Sequence, residues 1–391
     1  MDRILHAIDA AAPTLEAVAR DIHAHPELCY EERLASERLA SELERAGLTV
    51  ERGAGGVATA LRARFGPSTG PRVAILAEYD ALPEIGHACG HNLIAAGALG
   101  AALGLFAVRD QLPGEVVFLG TPAEEGGGGK IRLIEAGLFA DIDVAMMFHP
   151  LDRTLLWQGA LAMTRMDMTF RGKPAHAAAA PWDGSSALRA VIHTFNLIDS
   201  ARVHLRDGAR VHGIITDGGQ AVNIIPERAA AAFSVRAPTA AYLQTVMAEV
   251  RRAAEAAALG TGTTVEIIEG QGYRDMRNNQ PLARRFGDKL AALGVPFAET
   301  DPRIGIGSTD MGDVSYEVPA IHPYMGICAP GEAFPHQHGF AARAASPPAM
   351  EAMRAAAKAM ALLSWDVFHD PELLQNARAA FDAGSAGTHI H

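Results

Sequence analysis

Three short runs of nearly unbroken apolar residues constrain this chain most: Arg72 to Asp80, Glu115 to Gly120 and Asp143 to Phe148. A strand with one wet face alternates apolar and polar residues. A run that is apolar at almost every position must be covered on both faces, as in a sheet layered by helices. Helical patterns separate the runs, from about Asn92 to Arg109 and from Ile131 to Ala136. Strand, helix, strand, helix, strand predicts an open α/β sheet. Each run ends on polar residues: Asp80, then Glu124-Glu125 just past Gly120, then His149. The carboxyl ends of the strands are where such sheets place their sites.

The flanks fit around that centre. Residues 2–24 and 31–46 have the apolar spacing of amphipathic helices, and 50–65 read as strand, turn and strand. Near Leu161 the character changes. Ala162 to Phe170 alternates like a strand with one exposed face, and the segments from it up to Glu269 read strand, helix, strand, strand, helix, strand. That order predicts a ferredoxin-like α+β domain. The fold class expected is therefore α/β. A mixed-sheet catalytic domain with helices on both faces (1–161 and 271–391) would be interrupted by an inserted lid and dimerisation domain (162–270). A strand over 319–327 and a long helix over 347–367 would close the larger domain.

The net charge of −11 argues against nucleic acid or an anionic membrane as partner. Three cysteines, Cys29, Cys89 and Cys328, are too few and too irregular for a disulfide framework. They point to a reducing cytoplasm. Acidic residues interrupt the first 25 positions, so no signal peptide is expected, and no apolar run reaches the roughly 18 residues of a membrane span. The last residues, Thr388 to His391, read as a frayed end.

The polar strand ends share one chemistry. His87-Ala88-Cys89-Gly90-His91 sets a thiol and an imidazole two positions apart, and both are good ligands for zinc or a similar ion. Glycine between them lets the backbone turn. Alone, such a pair is more often coincidence than a metal site. Glu124-Glu125 adds two carboxylates, one able to bind metal while the other reaches a water. Read alone, the pair is a solvated acidic turn. The Gly-rich run after it is not a phosphate loop, because Ile131 follows Lys130. His149 and a histidine near 336–338 complete a donor set. His87 reads as a turn or supporting residue, and Cys29 and Cys328 as core thiols. Cys89 could instead be a nucleophile with His91 or His149 as base, but four further metal-type groups would then have no role.

Several stretches occur together and in order: His23-Ala24-His25-Pro26-Glu27-Leu28, Ala77-Glu78-Tyr79-Asp80-Ala81-Leu82-Pro83, His87 to Asn92, Thr121 to Gly127, His149-Pro150, Gly172 to Ala178, Asn223-Ile224-Ile225-Pro226 and Gly307-Ser308-Thr309-Asp310. In these the chain resembles the dinuclear metallopeptidase family M20 of aminoacylases and carboxypeptidases. It is most similar to the branch of aminobenzoyl-glutamate hydrolases and β-alanyl-lysine-type dipeptidases. Asn92, where many members have aspartate, supports that branch over the indole-acetyl one. The resemblance implies a metal-dependent amidohydrolase holding one or two divalent ions, zinc or manganese. A metal-activated water would hydrolyse the amide bond of an N-acyl or N-aminoacyl amino acid. Cys89, His91, Glu125, His149 and His336 would be ligands; His336, unlike His338, has an aromatic four residues on. Glu124 would be the general base, and Asp80 would orient a ligand. His176 would polarise the scissile carbonyl. Asn223 and Arg236 would hold the substrate's carboxylate. Partners would be a small amide or dipeptide and further copies of the chain, as a homodimer or larger homo-oligomer. An aryl-amine deaminase on the same scaffold, or a metal-binding protein without catalysis, are the alternatives.

Overall fold

The computed structural model describes residues 1–386, so Thr388 to His391 lie outside the described residues. The chain forms two compact units. One is Met1–Gly159 with the chain from Met276 onward, and the other is Ala160–Asp275. The inserted unit is thus two residues longer at its start and five at its end than the expected 162–270. Tyr273 accounts for the second difference, because it exchanges backbone hydrogen bonds of 2.9 Å with Met163 and extends the inserted sheet.

The larger unit is built on a six-stranded mixed sheet. Its order is Val50–Arg52, Leu61–Phe65, Glu115–Gly120, Arg72–Ala77, Val144–Met146, Ala320–Ile321. Among the first three strands neighbours are antiparallel, and from Glu115–Gly120 onward neighbours are parallel. In the central pair Arg72 faces Glu115 and Ala77 faces Gly120. Every residue of Glu115–Gly120 is buried. Successive side chains point to opposite faces, so both faces are covered. The helix His91–Phe106 is apolar all round and buries 14 of its 16 residues. A helix of that kind belongs inside a protein. It packs against the sheet and between the helices Asp2–Ala24 and Pro347–His369. The first of these presents Ile4, Ile8, Leu15, Val18 and Ile22 at helical spacing.

One expected strand divides. Residues 319–327 contribute Ala320–Ile321 to the large sheet and Tyr324–Gly326 to a separate pair with His149–Leu151. Pro323 lies at the break. It has no N–H to continue a ladder, and its carbonyl accepts the His149 N–H at 2.8 Å. The strand expected to run on to Phe148 likewise stops at Met146, and His149 begins the small parallel pair.

The inserted unit has an antiparallel sheet in the order Thr264–Glu269, Ala162–Arg171, Arg228–Ala237, Arg210–Asp217. With the helices Ala187–Ala201 and Ala240–Thr261 this is the ferredoxin-like arrangement read from the sequence. Its separate core includes Met166, Phe170, Val191, Phe233, Val246 and Val250. Ser186 and Thr239 cap the two helices, accepting from the N–H groups of Arg189 and Tyr242.

Candidate metal centre

The site collects where the parallel strands end. Beyond Ala77 the chain delivers Asp80, whose fully buried carboxylate has three partners. Oδ1 lies 3.0 Å from His91 Nδ1, and Oδ2 accepts the Glu125 N–H at 2.9 Å and the Cys29 thiol at 3.6 Å. The Asp80 carbonyl is also 2.9 Å from His91 Nδ1. With both acceptors on Nδ1, the ring presents Nε2 to the site, and the orientation of His91 is fixed.

Gly90 makes the turn between Cys89 and His91. It has φ +81°, and a Cβ there would lie 2.9 Å from Pro150 Cγ. Cys89 Sγ thereby comes 3.3 Å from His149 Nε2 and 3.6 Å from His336 Nε2. His336 is itself in the left-handed region at φ 66°, a costly conformation for a non-glycine residue. Its N–H donates to the Ala88 carbonyl at 2.9 Å, fastening this late segment to the Cys89 turn. His336 Nε2 is 3.3 Å from Glu125 Oε1, and His91 Nε2 is 4.0 Å from the same oxygen. His338 instead begins the helix His338–Arg343.

Glu124 and Glu125 are held from below. Ala123 sits at φ 62°, and its N–H donates to Glu32 Oε1 at 2.9 Å. The buried Glu32 also accepts from the Tyr30 N–H and from Thr59 Oγ1. The glycines that follow serve packing as well as flexibility. A Cβ on Gly129 would lie 1.7 Å from the Pro122 carbonyl oxygen, so only glycine lets this loop fold back on its own start.

The electrostatics are those of a site short of positive charge. Burial raises the Glu124 carboxyl well above its usual range, and Glu78 and Glu125 raise it further. Burial would raise Asp80 too, but the His91 imidazole outweighs it and holds Asp80 at about 2. Burial depresses His149 to about 4, leaving a neutral ring whose Nε2 faces the Cys89 sulfur. Burial and Glu125 push the Cys89 thiol well up. A thiol held protonated in this way is a poor nucleophile, and a cation bound beside it is what would deprotonate it.

The residues fit a divalent cation. Donor atoms of Cys89, His91 and His149 lie within 4.8 Å of one another, as do those of Cys89, Glu125 and His336, and those of His91, Glu124 and Glu125. His91 Nε2 and Glu125 Oε1 are buried and make no hydrogen bond. Such orphaned atoms are costly unless something binds them.

The structure thus brings together Asp80, Cys89, His91, Glu124, Glu125, His149 and His336. His176, Asn223 and Arg236 lie on the inserted unit. There His176 and Asn223 are exposed and adjacent, because Ala177 N–H donates to the Asn223 carbonyl at 3.0 Å. Arg236 lies opposite Met163 and Arg210 in the sheet.

Several residues near the site do more than the sequence suggests. Cys29 is no plain core thiol, since it is half-buried and donates to Asp80. Glu32 secures Ala123. Lys130 is fully buried, its ammonium bonded to Glu78 and, at 2.6 Å, to Asp310. A signal existed for Glu78, which stands two residues before Asp80 and so shares its side of an extended segment. Asn92 proves structural. Its side-chain amide donates to the carbonyls of Ala19 and Ala344, tying the central helix to two distant segments.

A mixed α/β sheet with thiol, imidazole and carboxylate donors at its strand ends, plus an inserted ferredoxin-like unit, is the architecture of a metal-site enzyme, and the relatives it matches make it a hydrolase acting on amide C–N bonds. The chain belongs to peptidase family M20/M25/M40, whose model matches residues 74–364. It is 40% identical to the Xaa-Arg dipeptidase of Mus musculus over 97% of this chain and 91% of that protein. It is 31% identical to a p-aminobenzoyl-glutamate hydrolase polypeptide of Escherichia coli over 95% of this chain and 92% of that protein. A solved Bacillus subtilis structure, described as a dinuclear metal binding peptidase from the M20 family, superposes with a TM-score of 0.72 at 23% identity, covering 93% of this chain and 99% of that one.

Proposed function

We propose that this chain hydrolyses dipeptides, or closely related N-acyl amino acids, in a reaction that depends on divalent metal. The observation that carries the reading is Glu124: a buried carboxylate, raised by its surroundings, beside five metal-type donors. Cys89, His91, Glu125, His149 and His336 would hold the metal. Cys89, His91 and Glu125 each belong to two of the donor groups, which favours two ions over one. The mixed thiolate, imidazole and carboxylate set suits zinc, with manganese the rival. A bound divalent cation there supplies Lewis acidity, lowering the pKa of water and polarising a carbonyl.

The side chains do the rest. Glu124 takes a proton from the attacking water at its carboxylate and returns it to the leaving nitrogen. Asp80 keeps His91 from rotating. We assign His176 to the scissile carbonyl oxygen, and Asn223 and Arg236 to the substrate's terminal carboxylate. The similarity to the Xaa-Arg dipeptidase favours a dipeptide with a basic second residue over aminobenzoyl-glutamate. The inserted unit serves as lid and as contact between copies. Its edge strand Arg210–Asp217 exposes Ile214 and Ile215, which favours a homodimer. No helix among the described residues is long and apolar enough to cross a membrane. All three cysteines are free thiols, which favours the cytoplasm.

The test is a panel of Xaa-Arg and Xaa-Lys dipeptides, N-acetyl amino acids and aminobenzoyl-glutamate, with products identified and bound metal quantified. Dipeptide cleavage should vanish on chelation and return with Zn2+ or Mn2+. Undiminished cleavage by protein proven free of metal would refute the proposal.

A further inference from the structure

Glu78 is a fully buried carboxylate with two dissimilar oxygens. Oε1 accepts from the Lys130 ammonium. Oε2 has no hydrogen-bonding partner, yet it lies 3.4 Å from His91 Nε2, which has none either. His91 Nδ1 is committed to two acceptors on Asp80, so in the neutral ring Nε2 carries a lone pair. A carboxylate oxygen facing Nε2 at that distance needs a cation between them: without metal it is a second proton on the ring, which burial opposes but Cys89, Asp80 and Glu78 together favour, and a bound metal ion takes that proton's place.

The spacing matches such a cation. Two nitrogen or oxygen ligands at about 2.0–2.2 Å from one tetrahedral ion stand roughly 3.3–3.5 Å apart. His336 Nε2 and Glu125 Oε1 stand at a similar separation, 3.3 Å. Resting on the metal-dependent reading above, we propose that Glu78 is a metal ligand, sharing with His91 one ion of the centre through Oε2.

Lys130 and Asp310 then have a defined task. Donor oxygens of Glu78, Glu124 and Asp310 also cluster within 4.8 Å. That cluster is no separate cation site, because the Lys130 ammonium already bridges Glu78 and Asp310. Asp310 fixes Lys130 through both Nζ, at 2.6 Å, and its backbone N–H, at 3.0 Å. Lys130 in turn holds Oε1, which turns Oε2 toward His91. This is how a ligating carboxylate is oriented by an outer partner.

The test has two arms. In solution, wild-type protein and Glu78→Gln are loaded with Zn2+, equilibrated against a graded chelator series, and their bound zinc is measured. Glutamine keeps an oxygen and the shape of the side chain but loses the charge. The variant should lose one ion at least about tenfold more readily; a smaller change overturns the proposal. The second arm needs no variant. In crystals of the wild type grown with Zn2+, anomalous scattering locates the ions. Glu78 Oε2 should lie about 2.0–2.2 Å from one of them, and a distance beyond roughly 3 Å overturns the assignment. The arms also separate this inference from the one beneath it. A wild type that binds no zinc defeats the proposed function, whereas one that binds zinc without Glu78 defeats only this ligand.

Discussion

Replacing Lys130 by methionine tests how the floor of the metal centre is held together. Lys130 is fully buried, as are Glu78 and Asp310, and its ammonium is the cation bonded to both carboxylates. Methionine has similar length and no charge. The substitution leaves two carboxylates in the interior without their counter-ion. Removing one partner of a buried ion pair costs about 3–5 kcal/mol. For a unit of this size each kcal/mol moves the melting temperature by about 2–4 °C, so a drop on the order of 10 °C is expected. The assay is thermal unfolding in the presence of chelator, so that metal occupancy does not enter. The pH dependence gives an independent check. Burial already holds the Asp310 carboxyl above its usual value against the pull of Lys130, and without Lys130 it rises further. A carboxyl raised in the folded state binds more protons there than when unfolded, so stability grows as pH falls. The gap between variant and wild type should therefore be wide near about pH 8 and narrow toward roughly pH 5. Adding Glu78→Gln and Asp310→Asn, which removes both stranded charges, should recover part of the loss. If Lys130→Met melts within about 2 °C of wild type, the ion triad is not a stabilising element and the reasoning fails.

Glu124→Gln should retain its zinc and lose about 10²–10⁴-fold in kcat, the contribution of a positioned general base; normal turnover by a zinc-loaded variant would remove Glu124 from that role. Gly90→Ala meets both a positive φ and Pro150, so it should weaken zinc retention together with stability, read by metal analysis and melting; a wild-type melt with full zinc would count against the turn's importance. Asn92→Asp sets a carboxylate against the carbonyls of Ala19 and Ala344, and should destabilise by about 2–4 kcal/mol in denaturant titration. The variant's preference among dipeptides should not change, and an altered substrate spectrum would show that Asn92 does more than anchor the helix.

The parts of this protein that were legible in its sequence are those governed by local periodicity. The apolar runs Arg72–Ala77 and Glu115–Gly120 became the central parallel pair because a doubly covered strand can hardly be written otherwise. Met166, Met168 and Phe170 alternate, and they line one face of the inserted sheet. The donors were legible as residue types at strand ends. Partnerships between distant residues were not. Lys130 lies 52 positions from Glu78 and 180 from Asp310, and nothing in the neighbourhood of any of them announces the others. Cys29 donates to Asp80 across 51 positions. The division of residues 319–327 between two sheets depends on where Pro323 falls relative to His149, which only the folded chain determines. Asn92 pointed to the correct branch of the family, but its own work is to hold a helix.

The discontinuity of the larger unit sets an order of events in synthesis. His149 leaves the ribosome 187 residues before His336. At about 10 residues per second that is an interval on the order of 20 s. During it the inserted unit, with its own core, can fold, while Cys89, His91, Glu125 and His149 still await their last companion. The edge of the large sheet waits too, since Ala320–Ile321 is its final strand. The nascent chain therefore passes through a period in which an incomplete donor set and a bare sheet edge are exposed together. Premature capture of a soft metal or pairing of that edge with another chain are the hazards, and translation speed through residues 160–336 governs how long they last.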